Sequence, residues 1–335
     1  MMRIEENAKM KIVQIGAAGH AVITYPSIRK NGFDFVAVSP GLHGEDENTG
    51  EAWEELKKSW ECIRLYADYK QMIEREKPDI VLVNSWFNDN GAIALYCLEQ
   101  GCHVFCEKPM ATGVQLLKKL TDTAEERKLV LSSMFEFRYH SEFAAAKKAV
   151  AEGKIGKIRL MDARKSYKLG ERPIYYQSRE FYCGIIPWVA IHAIDLMSFI
   201  SGEKYTAVRA FHSCDDNGNY GDMDIIATAQ FTMSNGALAS VTADMYRPST
   251  AKTHGDDRIR IVGTMGIIEV MNGKTVLISN ESEEEIQLPL APAKNIFDDF
   301  TDRIKGIDND LTPESVFEST YWALEADRVA RENGN

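Results

Sequence analysis

Within the first 135 residues, short apolar runs at Lys11–Ile15, Phe35–Val38, Ile80–Val83, His103–Cys106 and Leu129–Ser132 alternate with stretches of helical character. The runs are continuous, as in strands buried on both faces, and the helical stretch 92–100 stops at Gly101. Strand and helix in alternation predict a doubly wound parallel sheet. After Ala149 the period becomes two. Ile225, Ala227, Ala229, Phe231 and Met233 alternate with Thr228, Gln230 and Thr232, which predicts a strand with one buried face. Asn235–Gly236 and Asn272–Gly273 each lie between two such runs and predict hairpins. The second half is therefore expected to be mainly antiparallel sheet. A helix over 142–152 leads into it and ends at Gly153, another follows Pro187, and two close the chain. The last is entered at Thr312 and Pro313, with Phe317, Tyr321 and Leu324 on one stripe.

A chain of 335 residues with 44% apolar content can fill two cores. Its 39 Lys and Arg against 50 Asp and Glu give a net charge of -11, which repels phosphate backbones and anionic lipid. The longest basic gatherings, such as Lys57–Lys58 and Lys118–Lys119, are dipeptides on helical segments, so neither nucleic acid nor membrane is expected as a partner. Met1–Glu6 carries acids where an export signal is basic, and no long apolar stretch follows. The richest apolar run, 185–200, holds His192 and Asp195 near its middle and reads as a buried helix. A cytoplasmic location is the expectation. Cys97, Cys102 and Cys106 fall on a helix, its exit turn and an apolar strand, with no paired CxxC spacing. They read as small buried side chains, and no metal site is expected.

The first strand runs into Gly16, Ala17, Ala18, Gly19 and His20, a glycine turn placed to aim the free amides of the following helix at a pyrophosphate. Ala18 stands where a dinucleotide fingerprint has glycine, with Gly19 beside it. At the end of the second strand, where a carboxylate commonly holds ribose hydroxyls, the chain has Ser39, followed by Glu45, Asp46 and Glu47. NAD and NADP both stay open.

At Val104–Pro109 the fifth strand ends in Glu107, Lys108 and Pro109, and here the sequence resembles the glucose-fructose oxidoreductase and inositol dehydrogenase (Gfo/Idh/MocA) family. Gly153-Lys-Ile155-Gly156, His192-x-x-Asp195 before Gly202, Asn235–Gly236, and Gly263 with Gly266 extend the resemblance over most of the chain. It implies a Rossmann-type nucleotide-binding domain, drawn here at 1–135, and an α/β domain at 136–335 with a large open antiparallel sheet. That sheet is expected to join a homodimer or homotetramer. It also implies NAD(P)-linked redox chemistry on sugars or polyols. Two departures stand out. The family's Thr-Pro-Asn-x-x-His after the fourth strand becomes Ser85, Trp86, Phe87, Asn88, Asp89, Asn90, and the aspartate of its Asp-x-x-x-His pair becomes Trp188, four residues before His192. Ser85, Trp86 and Asn90 are candidate cofactor contacts by position.

Hydride removal from a carbinol needs a group that takes the hydroxyl proton, and Lys108 and His192 can both do so. Histidine starts near neutrality, whereas lysine needs desolvation or a neighbouring cation to lower its pKa. We assign His192 as proton acceptor and Lys108 as polariser of the substrate oxygen, with the reverse assignment open. The two are expected to converge from separate domains on one pocket. On a helix over 188–201, Trp188, His192 and Asp195 would share a face, letting Asp195 orient the imidazole and Trp188 wall a sugar ring. Spacing alone favours Trp188 and His192 as core residues of a buried helix, and it is the resemblance that turns the reading toward a site. Lys165, Lys168 and Arg172 on a strand and the loop after it, His254 in a polar loop, and Arg138 just past the sixth strand are candidate substrate contacts, against an exposed basic strand end for the first three and a solvated turn for His254. Two further functions compete: an NAD-assisted glycosidase or eliminase without net redox, and a non-catalytic sugar- or nucleotide-sensing protein.

Overall fold

The computed structural model describes residues 9–43, 51–60 and 62–333. The Met1–Glu6 reading and the acids Glu45, Asp46 and Glu47 lie outside the described residues. The chain divides into two compact units, Met1–Met134 with Asn295–Val316, and Phe135–Lys294 with Phe317–Asn335.

The first unit alternates as the apolar runs require: β1 (Lys11–Ile15), α1 (Tyr25–Asn31), β2 (Asp34–Ser39), α2 (Glu51–Ser59), β3 (Arg64–Leu65), α3 (Tyr69–Glu76), β4 (Ile80–Val83), α4 (Asn90–Glu99), β5 (His103–Cys106), α5 (Val114–Arg127) and β6 (Leu131–Ser133). The strands form a parallel sheet in the order β3-β2-β1-β4-β5-β6. All of β4 is buried, as expected for a central strand covered on both faces. The sixth strand begins at Leu131 rather than Leu129. Chain direction across the sheet reverses between β1 and β4, and the carboxyl ends of those strands are where doubly wound sheets bind ligands.

The second unit holds α6 (Ser141–Ala151), β7 (Ile158–Tyr167), α7 (Arg179–Tyr182), α8 (Ile191–Ser201), β8 (Tyr205–Ser213), β9 (Ile226–Met233), β10 (Leu238–Asp244), β11 (Gly255–Gly263), β12 (Gly266–Met271), β13 (Lys274–Ser279) and β14 (Ile286–Gln287). Its sheet runs β14-β13-β12-β11-β7-β10-β9-β8. Every neighbouring pair is antiparallel except β7 with β10, so the sheet is mixed and largely antiparallel. Both predicted hairpins form: Asn235–Gly236 joins β9 to β10, and Asn272–Gly273 joins β12 to β13 with positive φ at both residues. The two glycine segments singled out in the sequence meet. A Cβ on Gly263 would stand 2.0 Å from the Ile155 carbonyl oxygen, so only glycine lets the strand approach. The apolar run 185–200 is core, with Ile185–Leu196 buried.

Two helices close the chain, α9 (Ile296–Ile304) and α10 (Pro313–Asn333). Asn295 caps α9 by accepting from the Phe297 amide at 2.9 Å. Phe297 and Phe300 then pack on Phe105 of β5, with ring centroids 5.4 and 5.1 Å apart, so this late segment completes the core of the first unit. Thr312 caps α10 through the Ser315 amide at 3.1 Å, with Pro313 at the first helical position.

Candidate functional site

In the first unit the expected cofactor residues gather at the carboxyl ends of β1, β2, β4 and β5. Gly16 has φ +72, and a Cβ there would lie 2.4 Å from the Asn84 carbonyl oxygen. Gly19 has φ +65, and its Cβ would lie 2.7 Å from the Glu107 carboxylate. Both positions need glycine for conformation and for close approach. The Gly16 amide donates to the Ser39 carbonyl at 2.8 Å and the Ala18 amide to the Asn84 carbonyl at 2.7 Å. The His20 amide donates to Glu107 Oε2 at 2.8 Å. Three turn amides serve to draw the strand ends together, and a 3-10 turn, Ala21–Thr24, precedes the seven-residue α1. Gly16 is buried, while Ala17, Ala18, Gly19 and His20 are partly or fully exposed at the reversal point of the sheet, the place where a dinucleotide would meet the turn.

The other positions surround this turn. Ser39 is buried and its hydroxyl donates to the Pro40 carbonyl at 2.9 Å, so no carboxylate stands at the end of β2. The buried Ser85 amide donates to Asn90 Oδ1 at 3.0 Å, which fixes the loop after β4 onto the start of α4. Trp86 stacks on His43, with centroids 4.7 Å apart at 19°, and His43 Nε2 lies 3.0 Å from Asp89 Oδ2. The sequence reading did not single out His43. Cys97, Cys102 and Cys106 are buried, and burial pushes the Cys97 and Cys106 thiols up, away from the thiolate a metal would need.

Glu107, Lys108 and Pro109 close the corner. The Glu107 carboxylate is buried, faces His20 Nδ1 at 3.1 Å, and accepts from the Lys108 amide at 3.2 Å. Burial pushes its pKa up, but the charge and hydrogen bonds of His20 and the charge of Lys108 outweigh this and hold it below the ordinary glutamate value. The Lys108 ammonium, 1% exposed, lies 4.0 Å from Glu107 Oε1. The Lys108–Pro109 peptide is cis.

In the second unit the sequence candidates fall into three groups. Arg138 and Asp195 come together: Arg138 Nε donates to Asp195 Oδ2 at 2.9 Å and its Nη2 to Oδ1 at 2.5 Å, both side chains being buried. Ser319 of α10 donates to the same carboxylate at 2.7 Å. Asp195 thus holds Arg138 rather than serving the imidazole as expected, and the Arg138 guanidinium packs on the Phe135 and Phe199 rings. Lys168, Arg172 and His254 form a second group. Lys168 Nζ donates to the Ala251 carbonyl at 2.5 Å, Arg172 Nη2 to the Lys168 carbonyl at 2.8 Å, and the His254 carbonyl accepts from the Lys168 amide at 3.1 Å.

His192 heads the third group. Trp188 lies in a π turn, Ile186–Ala190, so its register to His192 is not that of a regular α-helix, whereas His192 and Asp195 both lie in α8: a π turn closes i to i+5 and holds more residues than an α turn. The carboxylate beside His192 is Glu136, whose Oε2 lies 3.8 Å from Nδ1. Phe137 meets the imidazole edge-on at 4.8 Å. Lys165 Nζ sits 3.2 Å over the Phe137 ring and pairs with Asp257. Lys165 reads as an exposed strand end or a substrate cation in the sequence, yet it is 1% exposed. Met161, Ala163 and Lys165 share the inward face of β7, and that period of two was the available signal. Glu136 had none, because nothing local marks a residue beside a helix that begins 55 positions later.

A metal-like grouping also appears among the described residues at His212, Asp224 and Asp327. The Arg179 guanidinium already bridges both carboxylates and supplies their counter-charge.

Residues 12–135 match a model described as an oxidoreductase family with an NAD-binding Rossmann fold, GFO/IDH/MocA, and 143–269 match the GFO/IDH/MocA C-terminal domain. A Thermotoga maritima protein of known structure, provisionally assigned as an oxidoreductase, is 38% identical, with a TM-score of 0.91, covering 97% of this chain and 98% of its own. The myo-inositol 2-dehydrogenase of Thermotoga maritima is 28% identical over 233 residues, 68% of this chain and 67% of that enzyme. The D-glucoside 3-dehydrogenase of Escherichia coli is 25% identical over 211 residues, 62% of this chain and 58% of its own length.

Proposed function

The chain belongs to the GFO/IDH/MocA oxidoreductase family, and from that premise we propose that it moves a hydride between a nicotinamide dinucleotide and a hydroxyl-bearing carbon of a sugar, polyol or related compound. The observation that carries the reading is the buried lysine at the end of β5. Lys108 follows a carboxylate that is tied to the glycine turn of the nucleotide corner. The bound nicotinamide would supply hydride transfer, and the protein's own groups handle the proton. We assign His192 to accept the hydroxyl proton during oxidation and return it during reduction, and Lys108 to polarise the substrate oxygen. The Glu107 carboxylate faces the buried Lys108 ammonium and offers it a counter-charge.

The relatives named for myo-inositol and D-glucosides make cyclic polyols and glucosides the first substrates to try. Lys168, Arg172 and His254 remain the proposed substrate-side polar groups, and Trp188 the proposed apolar wall. The proposal includes a cytoplasmic homodimer or homotetramer joined through the sheet. In support, Phe211 of β8 and Leu238 of β10 are large apolar side chains more than half exposed on its strands.

The test is direct. The purified protein is titrated with NADH and NADPH by fluorescence, then incubated with inositols, glucosides and aldoses while the reduced-nicotinamide band is followed. Net reduction of the cofactor supports the proposal. Release of a leaving group without net reduction would point to an NAD-assisted elimination, and binding without turnover to a sensor.

A further inference from the structure

We propose that Glu136 is the positioning carboxylate of His192. This rests on the reading of His192 as the proton acceptor. Glu136 opens the 3-10 turn Glu136–Tyr139, and its Oε2 lies 3.8 Å from His192 Nδ1, with both residues buried. A carboxylate on the Nδ1 side favours the tautomer with the proton on Nδ1, which leaves the Nε2 lone pair to take a proton from substrate. Phe137 fixes the ring: its own ring is edge-on to the imidazole at 4.8 Å and 61°, while Lys165 Nζ sits 3.2 Å above its face.

A carboxylate this buried needs compensation. Lys165 supplies it. Burial lowers the lysine pKa, and the charges of Asp257 and Glu136 both act against that loss, so the three groups are electrostatically joined. Arg138, on the same turn, is matched by Asp195 from α8. Tyr167 and Arg172 face the lysine side, and His140 lies beside Phe137 at 4.7 Å. Asp195 is three residues from His192 but bonded to Arg138 and Ser319, while Glu136 is the carboxylate that faces Nδ1.

The experiment uses the full chain with isotopically labelled histidine, the His192 resonances being identified by their loss in His192→Gln. In the wild type the neutral His192 ring should report the Nδ1–H tautomer. Glu136→Gln should lower its titration midpoint by about one pH unit or more, and Glu136→Asp should restore part of that shift. An Nε2–H tautomer in the wild type, or an unmoved midpoint in a folded Glu136→Gln protein, would overturn the proposal. The wild-type tautomer stands as a test even if the Gln variant does not fold. Activity separates the two readings: if the midpoint moves as expected yet His192→Gln keeps wild-type turnover, the positioning pair is real and His192 is not the proton acceptor.

Discussion

Glu107 accepts a hydrogen bond of 2.8 Å from the backbone amide of His20, 87 residues earlier in the chain, and so ties the end of β5 to the turn after β1. The same carboxylate faces the His20 imidazole and the Lys108 ammonium. One buried anion therefore organises both the nucleotide corner and the lysine beside it.

Acid stability should report this anion. The folded pKa of Glu107 is below its ordinary value, so the carboxylate contributes stability that is present above pH 4.5 and lost as pH falls through the folded value. Glu107→Gln should lower the melting temperature at neutral pH and flatten the acid limb of stability below pH 4.5. A melting series against pH on both proteins measures this, and parallel acid limbs would contradict it.

Gly19→Ala should weaken the corner twice over. The left-handed backbone costs about 1 kcal/mol for a residue with a side chain, and the new methyl would press on the Glu107 carboxylate 2.7 Å away. We expect NADH affinity to fall by roughly tenfold or more by fluorescence titration, about 1.4 kcal/mol. Val114→Ala, on the exposed start of α5, should leave it unchanged.

Arg138→Met leaves the Asp195 carboxylate buried without its cation, and a loss on the order of 3–5 kcal/mol is expected in urea unfolding. Arg328→Ala, at an exposed pair on α10, should cost less than about 1 kcal/mol. Equal losses in the two variants would mean that the buried pair is not a stabilising unit.

Lys108→Met and His192→Gln should each lower turnover by more than about tenfold while NADH binding is kept. Initial rates on any polyol found to be a substrate, together with the fluorescence titration, check both halves. Wild-type rates in either variant would remove that residue from the proton-handling pair.

Phe211→Glu combined with Leu238→Glu places two charges on the exposed strands β8 and β10. If the sheet joins subunits, light scattering should show the mass falling to that of one chain, with the fold retained by circular dichroism.

Local pattern alone carried a large part of this protein. Continuous apolar runs give β1, β4 and β5, since a strand covered on both faces needs no polar alternation. Asn272 and Gly273 give a hairpin, since their backbone preferences exist before any partner strand does. The Glu107-Lys108-Pro109 mark and the glycine turn were legible for the same reason: each is a short segment whose chemistry lies within a few residues. What the tertiary structure decided is how residues far apart share charge. Asp195, three positions from His192, is held by Arg138 from another element, while Glu136 reaches the imidazole across 56 positions. Lys165 is buried because the inward face of β7 carries it there, beneath Phe137 and against Asp257. Electrostatic partnership depends on distance in space and on the water excluded between groups, and chain spacing encodes neither once folding brings separate elements together.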